Sequence, residues 1–161
     1  MPKDTGRVGM AAHLAVAQRL VERGFEVLEP FRDDLRYDLA YYYPGKEGSI
    51  FKRGENPELV RIQCKNGRLT PDGATIRFNA FNISGGRGKK KSYKGDAEYF
   101  GVYCPELRRV FLIPVEVCSE GETSIRLKSA GLKRGNRFGS KHVEWSPEYQ
   151  DLYIWAEDYE I

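Results

Sequence analysis

Residues 36–43 read RYDLAYYY and residues 58–65 read ELVRIQCK, and the pairing of these two stretches decides how the rest of the chain is read. Both are rich in aromatic or β-branched residues, and between them lies PGKEGSIFKRGENP, with two prolines and three glycines. That pattern predicts two strands joined by a turn-rich excursion. In the second strand Val60, Ile62 and Cys64 point to one face, and Arg61, Gln63 and Lys65 to the other. Asp38 on the first strand then stands beside Gln63 and Lys65. A carboxylate is a hard oxygen ligand for a divalent cation, and the Cys64 backbone carbonyl can complete such a site. Gln63 can add a neutral oxygen or orient a water. A lysine beside the cation can hold an attacking water and stabilise charge on a phosphorane. The plain alternative is an Asp that ends a strand next to an exposed Gln-x-Lys.

Working outward, residues 8–23 carry the one long helical pattern. Leu14, Ala17, Leu20 and Val21 recur at helical spacing, Arg23 falls in the last turn, and Gly24 follows as a stop. Met10, one turn before His13, reads as core. FEVLEPF (25–31) reads as a short strand and TIRFNAF (75–81) as another. EYFGVYC (98–104) and VFLIPV (110–115), separated by PELRR, predict a hairpin, and SIRLKS (124–129) adds a strand. HVEW (142–145) and the aromatic C-terminal tail pack in a form the pattern leaves open. A helix followed by mostly antiparallel strands gives an α+β domain, one domain over residues 1–161 with no repeat or linker to divide it.

The composition, 40% hydrophobic and 30% charged, excludes a collagen-like or wholly disordered chain. No apolar run approaches the roughly 20 residues that span a bilayer, so no membrane role is expected. The first residues lack the apolar stretch of a signal peptide. Cys64, Cys104 and Cys118 form neither CxxC nor a Cys/His zinc pattern, which suits a reducing cytoplasm. The net charge is only +3, but it is unevenly spread. Residues 85–94 and 126–141 hold eleven of the 26 basic residues and no acidic one, leaving the remainder at −8. Two basic, glycine-rich stretches suit a polyanion, although solvated surface loops would look the same.

RYDLA (36–40) and RIQCKNGR (61–68) resemble the paired motifs of the PD-(D/E)XK nuclease superfamily. More narrowly they resemble its group I intron-associated homing-endonuclease branch, where the acid before X-Lys is often Gln, as in Gln63-Cys64-Lys65. GFEVLEPFRDDLRYDL (24–39), YKGDAEYFGVYCPELRRVFLIPV (93–115) and WAEDYE (155–160) read like the same branch, so the similarity covers residues 6 to 161. The resemblance implies a PD-(D/E)XK restriction-endonuclease-like core: an N-terminal helix on a mixed, mainly antiparallel sheet with added hairpins, beginning from a three-stranded unit. It implies a magnesium-dependent endonuclease, with manganese able to substitute, that cuts double-stranded DNA to 5′-phosphate and 3′-hydroxyl ends. Asp38, Gln63 and Lys65 are then the catalytic set, with Asp38, Gln63 and the Cys64 carbonyl at the metal. It also implies a homo-oligomer, dimer or tetramer, reading a long and roughly symmetric site.

The chain departs from that pattern twice. The family usually places a Glu in the first helix, eleven residues before its closing glycine, and here that position is His13. Its ring can bind a metal or orient water, or it can be merely structural. The superfamily also has a helix after the lysine strand, whereas residues 69–96 do not read as helix. Residues 85–94 read instead as a flexible basic loop. Asn66 and Arg68, following the lysine strand, are candidates for the region of the scissile phosphate. Arg87, Lys89, Lys90, Lys91 and Lys94 in the first basic stretch, and Lys133, Arg134, Asn136 and Arg137 in the second, are DNA-binding candidates, with Arg and Asn able to read base edges. Tyr41, Tyr42, Tyr43 and Tyr93 can stack on bases but suit a core at least as well. Competing readings are a junction resolvase or repair nuclease, a catalytically silent DNA-binding module, and an RNA-binding domain resting on basic loops and tyrosines alone.

Overall fold

The computed structural model describes residues 5–42, 59–84, 89–126 and 142–143. Helix α1 spans Thr5–Glu22. It ends because Gly24 takes φ +81°, which lets the Phe25 N–H turn back to the Leu20 carbonyl at 3.1 Å. Strands β1 (Glu26–Leu28), β2 (Leu39–Tyr42) and β3 (Val60–Asn66) follow, then β4 (Arg68–Leu69) and β5 (Thr75–Asn79). Next come β6 (Asn82–Ser84), β7 (Lys89–Lys91), β8 (Tyr99–Cys104) and β9 (Arg109–Pro114). A single 3-10 turn at Val115–Val117 leads to β10 (Glu122–Arg126), and β11 is His142–Val143.

Five of these strands form one sheet in the order β1-β2-β3-β8-β9. Every pairing in it is antiparallel except that of β3 with β8. The sheet is therefore larger than the three-stranded unit implied by the resemblance, and mixed, mainly antiparallel, as expected. A second sheet runs β11-β10-β5-β4, with β11 parallel to β10. The 98–104/110–115 hairpin is present as β8 and β9, with Tyr99 opposite Pro114 and Cys104 opposite Arg109.

Both faces of the five-stranded sheet are buried. On one, Leu39, Ile62, Val110 and Leu112 meet Val16 and Leu20 of α1. On the other, Phe100, Val102, Phe111 and Ile113 meet Ile76, Phe78 and Ile125 of the second sheet. Alternation along β8 and β9 supplies both faces at once, which explains their continuous apolar sequence.

The helix turns a different face inward from the one its larger residues suggest. Its buried residues are Ala12, Val16 and Leu20, while Met10, Leu14 and Val21 are exposed. The expectation that Met10 is core, and that Leu14 and Val21 share the buried stripe, is thus corrected. Gly101 gives the reason: a Cβ there would stand 2.8 Å from Val16 Cγ1 and 3.0 Å from Ile62 Cγ2. The helix lies so close to β8 that a glycine below and small or β-branched residues above are what fit.

The described residues between 69 and 96 hold strands rather than a helix. The expectation of a loop over 85–94 is corrected at Lys89–Lys91, because β7 pairs antiparallel with β6, Asn82 opposite Lys91 and Ser84 opposite Lys89. Backbone pairing does not need apolar side chains, so three consecutive lysines can occupy one arm of an exposed two-stranded ribbon. Lys90 places its ammonium 4.6 Å from the centre of the Phe81 ring.

Candidate active site

The site begins where β2 runs out. β2 pairs with β3 only through Leu39–Ile62, Ala40–Arg61 and Tyr41–Val60, while β3 continues to Asn66 against β8 on its other edge. Beyond Ile62 one edge of β3 therefore has no ladder partner among the described residues. Asp38 fills the gap. Its own N–H donates to the Ile62 carbonyl at 2.8 Å, and its Oδ2 accepts the Cys64 N–H at 2.7 Å. The Gln63 side-chain amide donates to the same oxygen at 2.5 Å. On an extended strand the C=O of a residue points to the same side as its N–H, so the Cys64 carbonyl faces this gap as well. Both hydrogen bonds land on Oδ2, which leaves the Oδ1 lone pairs for another partner.

Burial pushes the Asp38 carboxyl above the ordinary carboxylate range. The Cys64 N–H, the nearby charges of His13 and Lys65, and the Gln63 amide pull the other way. A cleft of about 680 Å³ opens here, lined by Gly9, Met10, His13, Leu14, Glu29, Asp38, Gln63 and Cys64. His13 Nε2 lies 2.7 Å from Glu29 Oε1, the residue just past β1. Among the described residues no three His, Cys, Asp or Glu side chains gather closely enough to hold a metal ion. The donors at the gap are instead one carboxylate, one backbone carbonyl, one side-chain amide and an imidazole. The Asp38 carboxylate and the Cys64 carbonyl are two hard oxygen donors that fit a divalent cation; Gln63 turns its NH2 toward both and adds its own oxygen only once the amide is rotated, the remaining positions falling to water or phosphate oxygens.

Lys65 lies on the face of the sheet away from α1. Its ammonium sits 4.5 Å from the centre of the Tyr93 ring, 3.3 Å from the Tyr93 hydroxyl and 3.4 Å from the Phe81 carbonyl. Burial is the main reason its pKa falls from 10.5 to about 8, with Asp38 opposing and Arg36 adding to the fall. Arg36 lies over the same tyrosine at 4.6 Å, and it donates to the Asp96 carboxylate and the Ser92 carbonyl, both at 2.5 Å. A folded-state pKa below the unfolded one means that the folded protein binds this proton less well. The resulting cost is fully present below pH 8 and is relieved as pH rises from about 8 to 10.5. Lys65→Met is therefore expected to be the more stable protein near pH 7, by at most about 3–4 kcal/mol. That gain should shrink between pH 8 and 10, as paired urea unfolding curves will read; a gain that grew with pH would contradict this.

Comparison with known proteins returns three results. A family model described as PD-(D/E)XK endonuclease matches residues 3–152. The chain belongs to the PD-(D/E)XK endonuclease family. The bacterial homing endonuclease I-Ssp6803I has a similar solved structure, with a TM-score of 0.60 and 21% sequence identity. That match covers 83% of this chain and 84% of the other, and at this identity it speaks for the fold. None of the curated proteins compared with the chain matches it.

Within this PD-(D/E)XK chain, the fold brings Asp38, Gln63, Cys64, Lys65 and His13 to one end of the five-stranded sheet. Asn66 ends β3, where its amide donates to the Gly67 carbonyl at 3.2 Å. Arg68 stands apart on the second sheet, 3.2 Å from Glu122. Lys90, Lys91 and Lys94 are exposed, the first two on β7 and the third just after it. Arg87, Lys133, Arg134, Asn136 and Arg137 lie outside the described residues, as does Tyr43. Tyr93 is buried, and Tyr41 packs edge-on against Phe25 at 4.9 Å, so both belong to the core. Neither Glu29 nor Arg36 stands out in the sequence. Glu29 sits in an ordinary strand-to-loop segment, and only the fold carries it across to α1.

Proposed function

We propose that the chain is a metal-dependent, sequence-specific endonuclease of the homing type, of the group I intron-associated branch, hydrolysing phosphodiester bonds in double-stranded DNA. One observation carries the reading. The Asp38 carboxylate caps the open edge of β3 at Cys64 and Gln63, and the buried Lys65 ammonium lies on the same strand, near enough for each to shift the other's pKa. Family membership supports a nuclease, and nucleases of this kind generally use divalent ions. Asp38, the Cys64 carbonyl and Gln63 are the proposed ligands, with magnesium as the first candidate ion and manganese as its substitute. A bound ion supplies positive charge to the phosphate and lowers the pKa of its water. Lys65 supplies a fixed positive charge and a proton donor to the phosphoryl oxygens, and His13 completes the cleft wall. A homo-oligomer, dimer or tetramer, and one domain spanning the chain are part of the same proposal. The three thiols are free, which suits the cytoplasm.

The test is incubation with a library of linear duplexes and four-way junctions in magnesium, manganese or EDTA. Cutting of a few linear sites that requires metal supports the homing reading. Preference for junctions would make the chain a resolvase. Salt-sensitive binding without cutting in any metal would make it the silent module, with His13 in the helix as the disabling change.

The basic ribbon is proposed to contact the phosphate backbone, and the candidates of the second basic stretch and Asn66 are proposed to contact the DNA as well. Changing Lys90, Lys91 and Lys94 together to glutamine should weaken duplex binding. It should also flatten the log–log salt dependence by about 2–3 units, since each phosphate left without its lysine lowers the slope by roughly one. An unchanged slope would move this ribbon off the DNA.

A further inference from the structure

The cleft contains a carboxylate that the proposed reaction has not used. Glu29, Asp38 and His13 line the same opening, and Glu29 Oε1 meets His13 Nε2 at 2.7 Å. The Glu29 carboxyl is 66% exposed, while the His13 side chain is only 25% exposed, so the flexible partner is the acid and the fixed one is the ring. Glu29 is not a third ligand beside Asp38 and His13, since among the described residues no such trio comes within ligating range. Its place is on Nε2 of the ring.

We propose that Glu29 is a positioning residue that holds His13 in the tautomer protonated at Nε2, so that Nδ1 is the nitrogen offered to a divalent ion in the Asp38 cleft. A carboxylate accepts hydrogen bonds and donates none at neutral pH, so the ring nitrogen facing it carries the hydrogen. In a neutral imidazole the other nitrogen is then the lone-pair donor. Carboxylate–histidine–metal chains use this arrangement to fix ring orientation and raise ligand basicity. An imidazole donor also changes which ions are favoured: it suits cobalt, nickel or zinc, whereas magnesium and manganese favour oxygen. The inference rests on the reading of Asp38 as the metal centre and adds to it a preference for ions that accept nitrogen.

The experiment needs no DNA. The full chain, labelled with ¹⁵N at histidine, is examined by long-range ¹H–¹⁵N correlation, with His142→Gln assigning the only other ring. The result expected is a single Nε2–H tautomer for His13, and loss or shift of its Nδ1 signal as cobalt is added. Calorimetric titration with cobalt and with magnesium then compares the wild type, Glu29→Ala and Asp38→Ala. Glu29→Ala should mix the tautomers and lower cobalt affinity by about 10- to 100-fold, while magnesium affinity stays near the wild-type value. Glu29 is exposed, so the variant is expected to fold, and thermal melting checks this. A His13 ring doubly protonated even with cobalt present, or wild-type cobalt affinity in Glu29→Ala beside a loss in Asp38→Ala, would overturn the role of Glu29 and leave the metal centre standing. Wild-type affinity in Asp38→Ala would overturn both.

Discussion

Lys65→Ala is expected to lower the cleavage rate by about 10²- to 10³-fold or more, the cost of removing one fixed charge aimed at a phosphoryl oxygen. DNA binding should stay within a few-fold. The two outcomes separate because Lys65 is buried: its ammonium spends the free state against the Tyr93 ring and hydroxyl, not on the basic surface. Burial makes its charge costly to the folded protein and strong at short range, since little water screens it. An exposed lysine on β7 is expected to show the opposite profile, with its change lowering affinity and leaving the chemical step near the wild-type rate. Single-turnover rates on a mapped site, beside gel-shift titration of the same variant, read the two quantities separately. Cutting by Lys65→Ala at the wild-type rate would remove the lysine from the active site.

The second large effect is mechanical. Gly101→Ala adds one methyl 2.8 Å from Val16 Cγ1 and 3.0 Å from both Val16 Cγ2 and Ile62 Cγ2. Valine carries both of its methyls on Cβ itself, where no rotamer takes both out of the way, so α1 must move away from β8 and Ile62 of β3 must give as well. Overpacking of this kind costs about 1–3 kcal/mol, which corresponds to a fall in Tm of roughly 2–12 °C for a domain of this size. Activity should fall further than stability alone accounts for. His13 lies one turn before Val16 on the same helix, and β3 carries Gln63, Cys64 and Lys65, so the shift opens the cleft itself. Val16→Ala introduced into Gly101→Ala makes room for the methyl and should recover part of both losses. A double variant no better than Gly101→Ala would show that this clash is not the cause.

Much of the site was legible because strand alternation is a strict rule. Once RYDLAYYY and ELVRIQCK were taken as neighbouring strands, parity alone put Gln63 and Lys65 on one face, and Asp38 stands at Gln63 in the structure. The β8–β9 hairpin was legible for the same reason, with a short turn between two apolar runs. The buried face of α1 was not. Hydrophobicity favours Met10, Leu14 and Val21, but the close approach to Gly101 admits Ala12 and Val16, and no property of the helix sequence reports what lies beneath it. The pairing of Lys89–Lys91 was hidden because like charges in a row read as solvated loop, while the backbone bonds that make a ribbon are silent about side chains. Glu29 carried no signal either, since its partner His13 is sixteen residues back and is reached only through the turn at Gly24.

Arg36 has a consequence for anyone altering this nuclease. It sits two residues before Asp38, and its guanidinium grips the Lys91 and Ser92 carbonyls and the Asp96 carboxylate at the foot of the basic ribbon. The arm bearing Lys90 and Lys91 and the backbone bearing the cleft carboxylate therefore share one rigid strut. A ribbon transplanted from a relative, or lengthened by a residue, pulls on that strut before it meets any nucleotide. Retargeting by swapping surface segments thus has a natural cut point: residues 91–96 travel with Arg36, and the exchange stops before Lys91.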